Sequence, residues 1–120
     1  MEGFNKRALG SVYEDAAAEY LAGRGYRILE RNYRNRFGEV DLIAKKGEWL
    51  CFVEVKYRSS THFGWSSEAV DRRKQQTIMK LAKYYIIKHP WSQECFIRFD
   101  VAAFMEDGKL VYYKGAFGGM

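Results

Sequence analysis

Two short segments, Gly38-Glu-Val-Asp-Leu-Ile-Ala44 and Leu50-Cys-Phe-Val-Glu-Val-Lys56, place charged residues inside strand-like apolar runs. The four charged residues are Glu39, Asp41, Glu54 and Lys56. Because side chains alternate between the two faces of a strand, each segment presents its charged pair on a single face. The surrounding residues are apolar on both faces, which is typical of a central strand covered on both sides.

The turn between the two segments decides whether the charged pairs meet. A hairpin turn at Lys45–Glu48 that pairs Ala44 with Trp49 puts all four charged side chains on one side of the hairpin. In this register Asp41 and Glu54 are diagonal neighbours, about 7–8 Å apart at the backbone. A slip by one residue would send them to opposite faces.

Three acids and one lysine in a buried setting do not neutralise one another. Close carboxylates repel unless a proton or a cation lies between them. A divalent cation held by Asp41 and Glu54 would relieve this repulsion, and oxygen ligands with open water positions suit Mg²⁺ or Mn²⁺. Such a cation polarises phosphodiesters, and Lys56 beside it could orient the attacking water. The alternative is a solvated face with ordinary cross-strand ion pairs.

The rest of the chain predicts an α/β fold with a central mixed sheet flanked by helices. Helical spacing of apolar residues and punctuation by glycine and proline predict two helices, and strand-like runs predict five strands in the order αβββαββ. The predicted helices are Ser11–Arg24 and Val70–Lys88, and the predicted strands are Tyr26–Asn32, Val40–Ala44, Leu50–Tyr57, Cys95–Phe104 and Leu110–Lys114.

Length and charge narrow the possible functions. With 120 residues the chain fits one domain, residues 1–120, and its net charge of +5 favours an acidic partner such as nucleic acid or a membrane surface. No apolar run approaches the length of a membrane helix, and the first seven residues contain no apolar core of a signal peptide. Cys51 and Cys95 lie in apolar runs, so we expect a reduced, buried pair in a cytoplasmic protein.

A longer set of residues resembles a known family. The set comprises Tyr13-Glu14, Ala17, Leu21, Gly25-Tyr26, Asn32-Tyr-Arg34, Gly38–Ile43, Phe52–Lys56, Arg58 and Lys74. It resembles the YraN-like family of small bacterial proteins, within the PD-(D/E)xK restriction-endonuclease-like superfamily. The resemblance covers nearly the whole chain, and the two charged segments in tandem are its most specific part.

The resemblance implies a fold similar to that of archaeal Holliday-junction resolvases and a metal-dependent nuclease acting on branched or single-stranded DNA. It implies that Asp41, Glu54 and the carbonyl of Val55 bind Mg²⁺ or Mn²⁺, that Lys56 is catalytic, and that the protein is a homodimer. Val40 stands where the superfamily's name has proline, which leaves the fold in place and makes activity less secure. The alternative is a non-catalytic nucleic-acid-binding protein that retains the nuclease fold.

Three further residues have a functional and a structural interpretation. Glu14 could reach the metal from the first helix, or cap that helix through the spacing Ser11-x-x-Glu14. Glu39 could be an auxiliary ligand or a surface residue at the start of a strand. Lys74 could enter the site as a catalytic or phosphate-binding residue, or extend to solvent from the first turn of its helix.

Three arginines could bind the nucleic acid. Arg34 and Arg36 are expected in the loop before Glu39, at the mouth of the site. Arg58 continues the face of Lys56 at strand spacing and could contact a phosphate or pair with one of the acids.

Overall fold

The computed structural model describes residues 6–57 and 70–118, with only the backbone for residues 6–9. These residues contain two α-helices, one short 3₁₀ helix and five strands. They are α1 (Lys6–Gly23), β1 (Arg27–Asn35), β2 (Gly38–Lys46), β3 (Trp49–Tyr57), α2 (Arg72–Lys88), the 3₁₀ helix Pro90–Glu94, β4 (Phe96–Phe104) and β5 (Leu110–Phe117). The predicted order αβββαββ is therefore confirmed. Every predicted element is present, with ends that differ by a few residues.

The five strands form one mixed sheet in the order β1-β2-β3-β4-β5. Neighbouring strands are antiparallel except β3 and β4, which are parallel and are joined through α2. One apolar cluster lies on the α2 side of the sheet, around Phe52, Ile78 and Tyr85, and a second lies on the α1 side, around Leu21 and Val53. The central strands are thus covered on both faces, as their apolar composition predicts.

The predicted register between β2 and β3 is wrong by two residues. Lys46 pairs with Trp49, and Leu42 pairs with Val53. The reason is the turn: Gly47 has φ +59°, the conformation that a two-residue turn of type II′ needs at its first central position. A shift of two residues leaves every side chain on its face. In the observed register Asp41 and Glu54 lie opposite each other, one position beyond the last paired residues, Leu42 and Val53. They are therefore not diagonal neighbours.

The alternation of side chains along β2 breaks at Asp41. Val40 was expected to share a face with Leu42, but it packs in the cluster on the α2 side, whereas Leu42 packs on the α1 side. Level with Asp41 in the paired strand β1 lies Asn32, whose φ of +53° makes it the one left-handed non-glycine residue in the described part of the chain. A left-handed residue rotates the local backbone as in a β-bulge, and asparagine tolerates it better than most residues.

Helix α1 begins at Lys6, five residues before the predicted start. Ser11 is therefore inside the helix, and the predicted capping interaction with Glu14 is wrong because Ser11 is not at the helix end. Tyr13 stacks on Tyr57 with ring centroids 5.3 Å apart and contacts Phe104 at 5.0 Å. These contacts hold the middle of α1 over the carboxyl-terminal ends of β3 and β4.

Helix α2 begins after Asp71, whose side chain accepts a hydrogen bond from the backbone N–H of Lys74 at 2.8 Å. This N-cap fixes the first turn of α2 and with it the position of Lys74.

Both cysteines are free, as predicted, but only Cys51 is fully buried, because Cys95 lies just before the first residue of β4. No helix within residues 6–57 and 70–118 combines the length and apolar character that crossing a membrane would need.

Gly38, at the first position of β2, allows α2 to pack close to the sheet. Its φ is +147°, and a Cβ atom there would lie 2.5 Å from Cγ2 of Thr77 on α2. We expect Gly38→Ala to lower the free energy of unfolding by about 1–3 kcal/mol, because it adds backbone strain and a steric overlap. Chemical denaturation measures this loss.

Gly10→Ala is the matched control, because a Cβ at this position inside α1 meets no atom within 4 Å. This change should raise stability by about 0.5–1 kcal/mol through helix propensity. Adding Thr77→Ala to Gly38→Ala should recover the steric part of the loss. Equal stability of Gly38→Ala and the wild type would contradict the close packing of α2 on β2.

Candidate metal centre

Asp41 and Glu54 lie where β2 and β3 stop pairing. The backbone N–H of Val55 donates a hydrogen bond of 2.8 Å to Oδ2 of Asp41, so the Asp41 side chain takes the place of a strand partner there. The backbone of Asp41 in turn lowers the pKa of the Glu54 carboxyl. The two strands therefore part around two acidic side chains, of which Asp41 is held by the backbone of the opposite strand.

Glu54 is almost completely buried, with 4% of its surface exposed. Its Oε1 has no hydrogen-bond partner, and it is the one buried side-chain oxygen or nitrogen of the described residues in this state. Its Oε2 lies 3.8 Å from Nζ of Lys74, which reaches down from α2. A buried carboxylate oxygen without a donor is costly, so this arrangement indicates that a ligand belongs beside it.

Glu14 approaches Asp41 from the opposite side of the sheet. From the middle of α1, its carboxyl hydrogen-bonds to the Asp41 carboxyl and to the side chain of Asn32. The acid is not needed at a helix cap, since α1 begins well before it. Asn32 is not among the site residues predicted from the sequence. Its presence in the set of residues that resembles the family was the one available signal. Its left-handed backbone conformation places the side-chain amide near Glu14.

The environment raises the pKa of all three acids. Burial is the main cause for Glu54, followed by the charge of Asp41, and together they raise its pKa to about 7 despite the opposing effect of Lys74 and Lys56. Burial also raises the pKa of Asp41, against the hydrogen bond from Val55. The pKa of Glu14 is raised by burial and then by Asp41. Desolvation is thus the main reason why these three acids hold their protons more tightly than they would in water.

Lys56 and Lys74 are the cations close to these acids. Lys56 follows Glu54 by two residues on β3, is half-buried, and lowers the pKa of both Asp41 and Glu54. Lys74 is one-third exposed, so its ammonium faces Glu54 and also remains open to solvent. Lys74 therefore combines the two expected positions, because its side chain faces a buried acid and still reaches solvent.

The remaining candidates lie further out. Glu39 is half-exposed and pairs with Arg34 on the surface. Arg34 was expected in a loop but lies in β1, because that strand extends to Asn35. Arg36 lies in the two-residue turn that follows, with its guanidinium 5.5 Å from the ring of Phe37. Arg58 lies outside the described residues.

The acids suit a small hard cation that keeps several of its waters better than a cation that needs to be enclosed by protein ligands. Within residues 6–57 and 70–118, no three acidic, histidine or cysteine side chains are arranged to hold a metal ion. Asp41 and Glu54 are two carboxylates with one unpartnered oxygen. Mg²⁺ commonly binds through one or two carboxylates and keeps several waters, so this donor set suits it.

Comparison with known sequences connects the chain to one family. The model of the uncharacterised protein family UPF0102 matches residues 13–104, a range that contains every described acid and lysine of the site. A UPF0102 protein of Fusobacterium nucleatum is 50% identical over 103 residues, which cover 86% of this chain and 86% of the relative. A UPF0102 protein of Caldanaerobacter subterraneus is 50% identical over 93 residues, which cover 78% and 76%.

Comparison with solved structures finds a similar fold in an archaeal protein. The structure is similar to that of Hjc, a Holliday junction resolvase of the archaeal hyperthermophile Archaeoglobus fulgidus, with a TM-score of 0.56. The match covers 84% of this chain and 72% of the resolvase at 16% identity. At that identity the similarity concerns the fold, and it confirms the restriction-endonuclease-like fold expected from the sequence.

The raised pKa of Glu54 predicts a pH dependence of stability in metal-free protein. Between the ordinary value of 4.5 and about 7, the folded state binds more protons than the unfolded state. The free energy of unfolding should therefore fall as pH rises through this window. Glu54→Gln removes this contribution. From pH 4.5 to pH 8, its free energy of unfolding should therefore rise relative to that of the wild type by up to about 3 kcal/mol.

Urea denaturation in EDTA at several pH values measures the difference between the two proteins. Glu106→Gln, at an exposed turn, is the control and should follow the wild type at every pH. Parallel curves for Glu54→Gln and the wild type would mean that Glu54 titrates normally.

Proposed function

The chain belongs to the uncharacterised protein family UPF0102, and from this premise we propose that it is a metal-dependent nuclease that hydrolyses phosphodiesters of DNA. One observation carries the proposal. A buried Glu54 with an unpartnered oxygen lies beside Asp41 at the point where two central strands part. A purely structural protein gains nothing from this arrangement, because two buried acids destabilise the fold.

Asp41 and Glu54 would hold Mg²⁺ or Mn²⁺, with the carbonyl of Val55 as a third protein ligand. When bound, such an ion supplies Lewis-acid polarisation of the phosphodiester and favours deprotonation of water. The exposed Glu39, now paired with Arg34, is proposed as an auxiliary group only. The hydrogen bond from Val55 to Asp41 and the packing that buries Glu54 orient the two carboxylates before an ion arrives.

The lysines supply positive charge to the reacting phosphate. Lys56, on the same strand as Glu54, can orient the attacking water and stabilise the charge that develops on the phosphoryl oxygens. Lys74 contacts Glu54 and solvent at once, so its ammonium can turn to a phosphate oxygen when a cation takes over the charge of Glu54. Glu14 shares a hydrogen bond with Asp41 and can hold a proton there.

The substrate is proposed to be DNA in branched or single-stranded form. Net charge of +5 supports attraction to a polyanion. Arg34, Arg36 and Arg58 are proposed to contact the backbone of the nucleic acid. A homodimer, which would place two such sites on one branched substrate, stays a prediction.

Divalent metal should stabilise the folded protein through the acid pair. Addition of Mg²⁺ or Mn²⁺ should raise the melting temperature by several degrees, because the ion binds the folded state and not the unfolded chain. Asp41→Asn and Glu54→Gln should abolish this increase, and Glu39→Gln should reduce it in part. Glu19→Gln, an exposed acid on α1, is the control and should retain it. An undiminished increase in Glu54→Gln would place the ion elsewhere.

Cleavage should depend on the same residues. Four-way junctions, single strands and duplexes of labelled DNA are incubated with protein and Mn²⁺ or Mg²⁺, and products are separated on gels. Glu54→Gln and Lys56→Met should each lower the rate at least about 100-fold. Lys80→Met, an exposed lysine on α2, should cleave like the wild type. Cleavage that persists in Glu54→Gln would contradict the proposal, and metal binding without cleavage would favour the non-catalytic alternative.

A further inference from the structure

A second basic region lies at the opposite end of β3 from the acids. There a groove of about 470 Å³ opens where β3 and β4 begin. Trp49, Phe96 and Tyr26 supply its aromatic surface. Five residues separate Trp49 from Glu54 along the strand, so the groove lies about 17 Å from the metal centre. None of its residues takes part in the site described above.

Two of the aromatic rings are exposed to solvent. Trp49 and Phe96 are opposite each other in the parallel pair of strands, with 42% and 57% of their surface exposed. Their ring centroids are 5.3 Å apart. The planes of the two rings are inclined at 43°, so a planar aromatic ligand can stack on the face of Trp49 and contact Phe96 beside it.

Cations outnumber acids around these rings. Lys46, Arg98 and Lys114 line the groove, against one acid, Glu48. Within the described part of the chain, neither Lys46 nor Lys114 forms an ion pair, and both are exposed. Their charge is therefore available to an anionic ligand, whereas Arg98 is already neutralised by Asp100.

The base of the groove is held rigidly. Asp100 is completely buried and accepts two hydrogen bonds from Nε and Nη2 of Arg98, one of 2.6 Å from the hydroxyl of Tyr112 and one of 2.8 Å from the N–H of Gly115. Nη2 of Arg98 also donates to the hydroxyl of Tyr26 at 2.6 Å. The fixed guanidinium lies 5.4 Å from the ring of Trp49 and supports it from below.

We propose that this groove binds an unpaired nucleotide of a nucleic-acid strand, with its base stacked on Trp49 beside Phe96 and the flanking phosphates at Lys46 and Lys114. Exposed rings beside unpaired lysines match the two parts of a nucleotide, a planar base and an anionic phosphate. A protein partner would leave the lysines without a specific role, and a membrane surface would not need adjacent rings. The groove would hold a strand at a point remote from the acids, so its binding is independent of cleavage.

The test measures binding of a fluorescently labelled oligo-dT by anisotropy, in EDTA and in the Glu54→Gln protein, so that the strand stays intact. Trp49→Ala should weaken binding about tenfold or more, the effect of losing one stacked base. Trp91→Ala is the matched control, since Trp91 is similarly exposed at 47% but lies after α2, outside the groove. This control should bind within about twofold of the parent.

The lysines are tested by salt dependence, which does not rely on packing. The double variant Lys46→Gln/Lys114→Gln should bind more weakly and lower the slope of log K against log salt by about 1.4, the value for two phosphate contacts on a single strand. Circular dichroism and melting curves check folding. If Trp49→Ala fails to fold, Phe96→Ala and the lysine pair decide the question.

Two outcomes would overturn the proposal. Unchanged affinity and salt slope in the groove variants would mean that the strand binds elsewhere. Competition by thymidine monophosphate at the same concentration as the oligonucleotide would assign the groove to free nucleotides instead of a strand. Because the assay contains no active metal site, a protein that never cleaves DNA can still pass it, and a nuclease can still fail it.

Discussion

Two carboxylates held at the parting of β2 and β3 impose the main constraint on this molecule. Asp41 replaces a strand partner by accepting the N–H of Val55, and Glu54 is buried with one oxygen unpartnered. Burial and mutual repulsion raise the pKa of Glu54 to about 7, so an ionised Glu54 costs stability at neutral pH. The N–H of Val55 at Asp41 and the ammonium of Lys74 at Glu54 offset part of this cost.

Helices α1 and α2 each contribute a residue to the site, from opposite faces of the sheet. Tyr13 anchors α1 over the ends of β3 and β4, and the next residue, Glu14, reaches Asp41. The Asp71 cap sets the first turn of α2, which places Lys74 above Glu54. Cover on both sides lowers the effective dielectric constant around the acids, which strengthens their interactions with nearby charges.

Much of this arrangement follows from sequence pattern, and the failures have physical causes. Alternation within β3 predicts that Glu54 shares a face with Phe52, and both lie on the side of α2 because this strand is regular. The register of the hairpin depended on the turn conformation of Gly47, which hydrophobic pattern does not encode. The break in alternation at Asp41 depends on the left-handed backbone of Asn32 in a neighbouring strand, a tertiary feature. Helix α1 begins at Lys6 and not at the predicted Ser11, so Glu14 lies too far from the helix end to cap it.

The acid pair is proposed to bind one divalent cation. A crystal structure of the protein grown with Mn²⁺, with anomalous diffraction recorded to locate the ion, tests this binding. We expect a single strong peak within bonding distance of carboxylate oxygens of both Asp41 and Glu54, with Lys74 moved away from Glu54. A map without a peak at these acids, and with Glu54 still facing Lys74, would contradict it.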